Sequence, residues 1–399
     1  MKRIPVISIE PAILKWARET RGFTIVDVAE KMKRESTEIE SWEKGDSSPS
    51  FAQLEKLAYD IYKRPLATFF LPSPPQEPSI AQDFRTLPTQ DISSLSPEFR
   101  LKVRRVKHHQ LVLKELFDEI NPSSNPLHKK FLFTSSTSPS EAASLIRSEL
   151  GISNEQVKQL SYPEDALRLF KDIVENHGIY VFQEGLKEVS GFSLFDREFP
   201  VICLNGSDMT VKKIFTLFHE LAHVLFNAGG VFRDAISERL IQNKDTIEIF
   251  CNQFAADFLV PNDWLLSESI IKAGGKGEAW EEDDINRLAK FYKVSRETVL
   301  RKLLNLNLTT QSFFQTMKRK WDGQYQHNAL HKASKPKSGG PDYHTTNISH
   351  LGRKYIGSVI QGIETGKISE LDAASFLGVK VNKLTDYAQN IADYASRKP

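Results

Sequence analysis

Cysteine and long apolar segments are scarce in this sequence. Its 399 residues include only two cysteines, Cys203 and Cys251, which excludes a disulfide scaffold and a cysteine-rich zinc site and is typical of a reducing compartment. No apolar run approaches the roughly 20 residues that a bilayer-spanning helix needs. The apolar stretch at the N-terminus is broken by Pro5 and is too short for a signal-peptide core. We therefore expect a soluble, cytoplasmic protein without a membrane partner.

An excess of charge of one sign is also missing. Fifty-three Lys and Arg residues against 51 Asp and Glu residues give a formal net charge of +2, so nucleic-acid binding would depend on local patches. A hydrophobic content of 40% leaves ample apolar area for a globular protein. The length exceeds the roughly 250–300 residues at which single cores stop growing, which predicts several domains.

Proline- and glycine-rich breaks indicate where these domains end. The proline-rich stretch from Pro72 to Pro78 predicts a linker, and a second polar linker follows His331. We predict a mainly α, multidomain chain divided as follows: an N-terminal domain at 1–71, a linker and connector helix at 72–140, a larger α+β domain at 141–325 with a helical region after 262, a linker at 326–345, and a small helical tail at 346–399. The basic cluster from Arg100 to His109 is interpreted most simply as a solvated face of the connector helix.

The larger domain combines strands with helices. Three short apolar segments between Gly178 and Asn205, separated by Gly or charged turn residues, predict a small antiparallel sheet. Its edge offers a strand to which an extended peptide can add by β-pairing. Gly191 and Asn205 are candidates for a role near that edge, with turn formation as the alternative for both.

The strongest chemical signal is the sequence His219-Glu220-Leu221-Ala222-His223. Residues four apart on a helix project from the same side, so the two imidazoles can hold one metal ion. Zn²⁺ accepts neutral imidazole readily, and the intervening Glu220 is placed to act as general base on a water molecule. Chance occurrence is the alternative, but apolar residues line one side of this helix and polar residues, including both histidines, line another.

A third metal ligand is expected from the next helix, which Pro261 ends. Glu248 and Asp257 are nine residues apart and lie on opposite sides of a straight helix, so at most one of them can face the metal. Glu248 lies at the edge of the buried side, and we choose it over Asp257. Glu238 is an outside candidate whose simpler interpretation is a solvated charge.

These motifs resemble the catalytic core of the ImmA/IrrE family of zinc metallopeptidases. The resemblance runs from about Gly178 to Pro261 and includes the strand at 200–205, the run at 215–223 and the run that begins at Glu248. It implies a zincin-like domain in which His219, His223 and Glu248 hold Zn²⁺ and Glu220 activates water, with manganese as an open alternative in the cell. One departure is Asp257, where the family often has Glu.

The N-terminal segment has the pattern of short helices, at 13–20, 24–31, 36–43, 51–59 and 65–70. Thr24 is predicted to cap the second helix together with Asp27, and Ser36 to cap the third. The stretch from Ile39 to Ser50 resembles a helix-turn-helix of the Cro and phage-repressor type. Candidate DNA contacts on it are Ser36, Thr37, Ser41 and Lys44. However, Glu35, Glu38, Glu40 and Glu43 would oppose phosphate binding, so the module either reads DNA poorly or pairs with another helix-turn-helix protein.

Two later segments have a similar pattern. At 284–303, Ser295 is predicted to cap a helix that either reads DNA or closes the larger domain as a structural buttress. The segment at 367–380 has the same spacing and suggests a docking or regulatory tail.

The resemblances together imply an intracellular zinc endopeptidase that cleaves a helix-turn-helix transcriptional repressor. The circuit would be a stress response, a mobile element or a toxin-antitoxin pair, with DNA as a possible second partner. The alternative is a non-catalytic DNA-binding regulator or antitoxin that uses the peptidase fold as a scaffold. The intact set of His219, Glu220, His223 and Glu248 favours the enzyme, because a scaffold needs no general base.

Overall fold

The chain divides into two compact units, Met1–Lys107 and His108–Pro399. The computed structural model describes residues 9–77, 95–134, 136–227, 244–273, 280–333, 343–385 and 387–389. The predicted five-part division stays a prediction.

The first unit is built from short helices around one apolar core. These are α1 (Pro11–Arg21), α2 (Ile25–Met32), α3 (Ser36–Lys44) and α4 (Phe51–Glu55), which continues as a π-helix (Lys56–Tyr62) and is followed by a 3₁₀ helix (Leu66–Phe70). The predicted N-cap of α2 is confirmed, because Thr24 and Asp27 form a reciprocal capping box. The predicted cap at Ser36 is wrong: Glu35 precedes the helix without a side-chain cap, and Ser36 is its first residue.

Helix α5 (Pro97–Leu116) carries the basic cluster, and the prediction of a solvated face holds for Arg105 and His108, which are exposed, but not for His109, which is buried. Within the first unit, Arg104 donates hydrogen bonds to the carbonyl oxygens of Tyr62 and Lys63. Within the second unit, His109 is buried, and its Nδ1 lies 3.1 Å from the Tyr355 hydroxyl. These polar groups are accommodated because each bonds to a carbonyl or hydroxyl in the interior.

The second unit is mainly helical, with one small sheet. Its elements are α6 (Leu127–Lys130), α7 (Pro139–Glu149), α8 (Asn154–Gln159), α9 (Pro163–Asn176), β1 (Tyr180–Glu184), β2 (Gly191–Leu194), β3 (Val201–Asn205), α10 (Thr210–Asn227), α11 (Lys244–Leu259), α12 (Asn262–Ser267), α13 (Ser269–Ala273), α14 (Glu282–Tyr292), α15 (Arg296–Asn305), α16 (Gln311–Ala333), α17 (Tyr343–Leu351), α18 (Arg353–Glu364), α19 (Glu370–Leu377) and a 3₁₀ turn (Val381–Lys383). Within the described ranges, none of the helices is both long and apolar enough to span a membrane.

The sheet is mixed rather than antiparallel, which corrects the prediction. The strand order is β1-β3-β2, with β3 parallel to β1 and antiparallel to β2. The prediction assumed that successive strands are neighbours, which is the commoner arrangement. Here β2 lies outside β3 instead, and β3, whose five residues are all buried, occupies the centre.

Helices cover the sheet on both faces. Because side chains alternate along a strand, Val181 and Ile202 join the core with α9 and α10 on one face. On the other face, Phe182 stacks on His109 at a ring-centroid distance of 5.1 Å and contacts Tyr355 edge-on at 5.3 Å. One face of the sheet therefore packs against α10.

The C-terminal helices also pack onto this unit. Ser295 caps α15 by accepting a hydrogen bond from Thr298 N, as predicted, and α14 and α15 bury Leu288 and Val299 in the main core. Further along the chain, Gln183 of β1 donates a 2.7 Å hydrogen bond to the carbonyl oxygen of Ser349 in α17. The pair α14 and α15 is therefore a structural buttress, and the tail docks on the sheet.

Candidate metal centre

Helix α10 forms because its apolar residues recur at helical spacing. Phe218, Leu221 and Leu225 are fully buried in the core beneath the sheet. His219 and His223 project from the side that faces α11, which packs alongside α10. The buried side chains thereby fix the direction of both imidazoles.

Three potential ligand atoms converge between α10 and α11. The Nε2 atoms of His219 and His223 are 3.2 Å apart. Glu248 of α11 places Oε2 3.4 Å from His219 Nε2 and Oε1 3.2 Å from His223 Nε2. This is the group of His, Cys, Asp and Glu side chains within the described residues whose ligand atoms can share a metal ion.

These distances fit a tetrahedral zinc ion. Ligand atoms about 2.0–2.1 Å from zinc lie about 3.3 Å from each other when the angles are tetrahedral. The two nitrogens are 3.2 Å apart, and each lies 3.2–3.4 Å from a different oxygen of the Glu248 carboxylate. In addition, Glu248 Oε1 is buried and makes no hydrogen bond of good geometry, although His223 Nε2 lies 3.2 Å away, an arrangement that is costly unless a cation or proton satisfies the oxygen. Two nitrogens and one carboxylate are also a typical ligand set of catalytic zinc.

The charges at the site are coupled. Burial by itself raises the pKa of Glu248, but the hydrogen bonds and charges of His219 and His223 outweigh it and lower that pKa to about 2. Burial lowers the pKa of His219, whereas Glu248, Glu220 and Asn252 raise it above its usual value. Burial also raises the pKa of the neighbouring Cys251 thiol, so this cysteine is protonated and a poor metal ligand at neutral pH.

Glu220 lies between the histidines, under the first residue of β2. It is buried, and a Cβ atom built on Gly191 would lie 3.6 Å from Glu220 Cγ and only 2.6 Å from Thr216 Cγ2. Gly191 is therefore in a strand rather than a turn, and its missing side chain lets β2 approach α10 closely. The candidate base thus lies next to the edge strand of the described sheet.

The two acids of α11 occupy different environments. Glu248 faces the histidines, whereas Asp257 is buried and forms an ion pair with Lys302 of α15. Asp257 also accepts a hydrogen bond from the Ser140 hydroxyl. Asp257 thus links α11 to α7 and α15, while Glu238 lies outside the described residues.

Other residues near the site were underestimated or missed. Asn205 accepts hydrogen bonds of 3.1 Å from the backbone N–H groups of Leu186 and Ser207, so it holds the turns beside the sheet. Ser193, two residues after Gly191, has a buried hydroxyl without a hydrogen-bond partner. Asn252 lies one turn after Glu248 and interacts with His219. Its helical spacing from Glu248 is the signal that could have identified it.

The candidate DNA-contact residues lie in or beside α3 of the first unit. Ser36 and Thr37 begin the helix, and the Ser41 hydroxyl lies 2.7 Å from the Ser47 hydroxyl. Lys44 donates a 3.2 Å hydrogen bond to Glu40. The structure thus places all four on one short helix, where Lys44 already has an acidic partner.

Comparison with known proteins bears on part of the second unit. A search of curated proteins found no match to the chain. Residues 174–304 match the family model Peptidase_M78, described as an IrrE N-terminal-like domain. The matched segment begins at the end of α9 and ends within α15, so it contains the sheet, both histidines, Glu220 and Glu248. This match supports a metallopeptidase domain of the IrrE/ImmA type at residues 174–304.

Proposed function

We propose that this chain is a zinc-dependent endopeptidase whose substrate is a helix-turn-helix transcriptional repressor. The observation that carries the proposal is the convergence of His219, His223 and Glu248 at distances that suit zinc, with Glu220 on the same helix. The match to the IrrE N-terminal-like model supports the peptidase class. The repressor substrate rests on the resemblance to the ImmA/IrrE family.

In this proposal each residue has a defined task. His219, His223 and Glu248 hold the ion. Bound zinc supplies Lewis acidity, because it polarises the peptide carbonyl and makes water acidic near neutral pH. The Glu220 carboxylate takes a proton from the attacking water and donates it to the leaving amine.

Strand β2 is the element that would hold the substrate backbone. Ser190 accepts a 2.8 Å hydrogen bond from Asn205 N, and pairing alternates along an antiparallel ladder. The backbone groups of Gly191 and Ser193 therefore point away from β3. All four residues of β2 are buried in the free chain, so a peptide must displace what covers this edge. An extended peptide that pairs with these backbone groups lies beside Glu220, which is the geometry that backbone-directed peptide recognition uses.

We further propose that the first unit binds a helix-turn-helix protein rather than a DNA duplex. Helix α3 contains one basic residue, Lys44, and three glutamates. Lys44 is paired with Glu40, which leaves little positive charge for phosphates. DNA binding with a steep dependence on salt concentration in gel-shift measurements would contradict this part of the proposal.

The enzyme proposal is tested with Glu220→Gln, an isosteric change that removes the base. We expect the variant to retain about one zinc ion per chain, because Glu220 is not a ligand. We expect cleavage of a co-purified helix-turn-helix repressor to fall by about 100- to 10,000-fold, the usual contribution of a general base. Cleavage equal to that of the parent chain would remove the enzyme proposal and leave the non-catalytic regulator.

A further inference from the structure

A groove of about 690 Å³ begins beside the metal centre. Its walls come from α10, α11, α15 and α16. Phe215 lies one turn before His219, and Asn252 lies one turn after Glu248; both line the groove. Asn252 also interacts with His219, so the groove comes within one helical turn of the metal centre.

The wall formed by α10 and α11 combines exposed apolar side chains with the polar side chains of Lys212, Asn252 and Gln253. Ile249 is 63% exposed, Met209 is 54% exposed, and the partly buried Phe215 lies near them along the same groove. Single exposed apolar residues are common on protein surfaces, but a contiguous set in a concave site indicates a binding surface.

Charged side chains contribute less than apolar side chains to the selectivity of the groove. Glu297 forms ion pairs with Arg301 at 3.2 Å and with Lys318 at 3.0 Å. All three residues line the other wall of the groove. These groups already neutralise one another in part, and exposed pairs of this kind contribute little net energy. Apolar contact is therefore the main source of discrimination that the groove offers.

We propose that this groove is a substrate subsite that receives an apolar side chain close to the scissile bond. The proposal rests on the proposed peptidase function and names the feature of the substrate that the enzyme selects. From His219 back to Val211, α10 rises about 12 Å, which an extended chain covers in about three or four residues. The selected apolar residue therefore lies within about four positions of the bond that is cut.

The occupant is a substrate chain rather than a second copy of this protein. Proximity to the metal centre favours this occupant, because a peptide held on β2 beside Glu220 must leave the site along one of the neighbouring surfaces. A partner that covered the groove permanently would block that route.

A positional-scanning library of internally quenched decapeptides tests the proposal on the zinc-loaded chain. At one position within four residues of the cleavage site, we expect Leu, Ile, Met or Phe to be preferred over Ser by about 10- to 100-fold in kcat/KM, as for burial of one apolar side chain. The double variant Ile249→Ser with Met209→Ser is expected to reduce that preference below about 3-fold while zinc content is unchanged. Both side chains are exposed in the free protein, so the fold should tolerate their loss.

Leu266→Ser is the matched control, because Leu266 is 42% exposed and lies outside the groove lining. It should keep the full preference. Cleavage without an apolar preference, or an equal preference in the double variant, would overturn the groove proposal and leave the peptidase proposal intact.

If the library is not cut, the proposal of peptide cleavage is overturned. A binding measurement then tests the groove proposal separately. Benzoylphenylalanine placed at Gln253, which lines the groove, in the Glu220→Gln chain should crosslink a Leu-containing decapeptide pool in preference to the matched Ser-containing pool. Equal crosslinking of both pools would overturn the groove proposal by itself.

Discussion

At the scale of single residues, Glu248 and Asp257 of α11 differ most clearly in the groups that they face. We expect Glu248→Gln to lower zinc affinity by at least about 100-fold, because the neutral amide is a much weaker ligand than the carboxylate. Substitution of residues that only support a metal ligand already lowers metal affinity by up to about 100-fold. Competition with a fluorescent zinc chelator measures this affinity.

Asp257→Asn is the matched control on the same helix. Its zinc affinity should stay within about 3-fold of the parent, since Asp257 faces Lys302 rather than the histidines. The free energy of unfolding should fall by about 3–5 kcal/mol, because Lys302 is left charged in the interior. Loss of zinc in Asp257→Asn with retention in Glu248→Gln would reverse the assignment.

Glu175 of α9 makes stability depend on pH. Its Oε1 accepts a 3.1 Å hydrogen bond from Val181 N. Burial raises its pKa from 4.5 to about 7, although the nearby Lys171 opposes the shift. The folded state therefore binds the proton more tightly than the unfolded state does, and this carboxyl group destabilises the fold as pH rises from 4.5 to about 7.

Glu175→Gln should remove that contribution. Urea unfolding measures the free energy of unfolding at pH 5 and at pH 8. From pH 5 to pH 8, this free energy should fall less in the variant than in the parent. An identical loss in both proteins would mean that Glu175 does not titrate in this range.

At the scale of elements, the contact of β2 with α10 depends on Gly191. A Cβ atom there would lie 2.6 Å from Thr216 Cγ2 and 2.9 Å from the Cys203 carbonyl oxygen. We expect Gly191→Ala to lower the free energy of unfolding by about 1–3 kcal/mol, the usual cost of overpacking. Chemical denaturation measures this change.

Gly357→Ala in α18 is the corresponding control, because no atom beyond its chain neighbours and its own helix backbone lies within 4 Å of its added Cβ. It should raise stability by about 0.5–1 kcal/mol through better helix propensity. Equal destabilisation by the two substitutions would mean that β2 does not pack tightly against α10.

Local patterns predicted the N-terminal helices and the convergence of His219, His223 and Glu248. The cap at Thr24 and the apolar spacing of α10 depend only on residues that are close together in the chain, so the sequence alone indicates them. The strand order was missed because it depends on which distant strand fills the centre of the sheet. The place of Gly191 was missed for the same reason, since its neighbour Thr216 belongs to another element.

At the scale of the whole second unit, the tail is part of the fold. Tyr355 of α18 is fully buried and contacts both His109 and Phe182. We expect Tyr355→Ala to lower the free energy of unfolding by about 3–5 kcal/mol, as for other buried aromatic residues. The thermal midpoint measures the effect.

Leu371→Ala in α19 provides the comparison, because that side chain is 70% exposed. Its effect should stay within about 0.5 kcal/mol. A Tyr355→Ala protein as stable as Leu371→Ala would show that the tail is dispensable for folding. The sequence could not show where the tail packs, since long-range docking leaves no local signal in the sequence.

The central claim is that His219, His223 and Glu248 bind one zinc ion. Anomalous diffraction at the zinc absorption edge, from crystals grown with zinc, tests it most directly. We predict one peak about 2.0–2.2 Å from the Nε2 atoms of both histidines and from an oxygen of Glu248. A zinc-saturated crystal in which that position lacks a peak, or in which any of the three side chains turns away from it, would contradict the account.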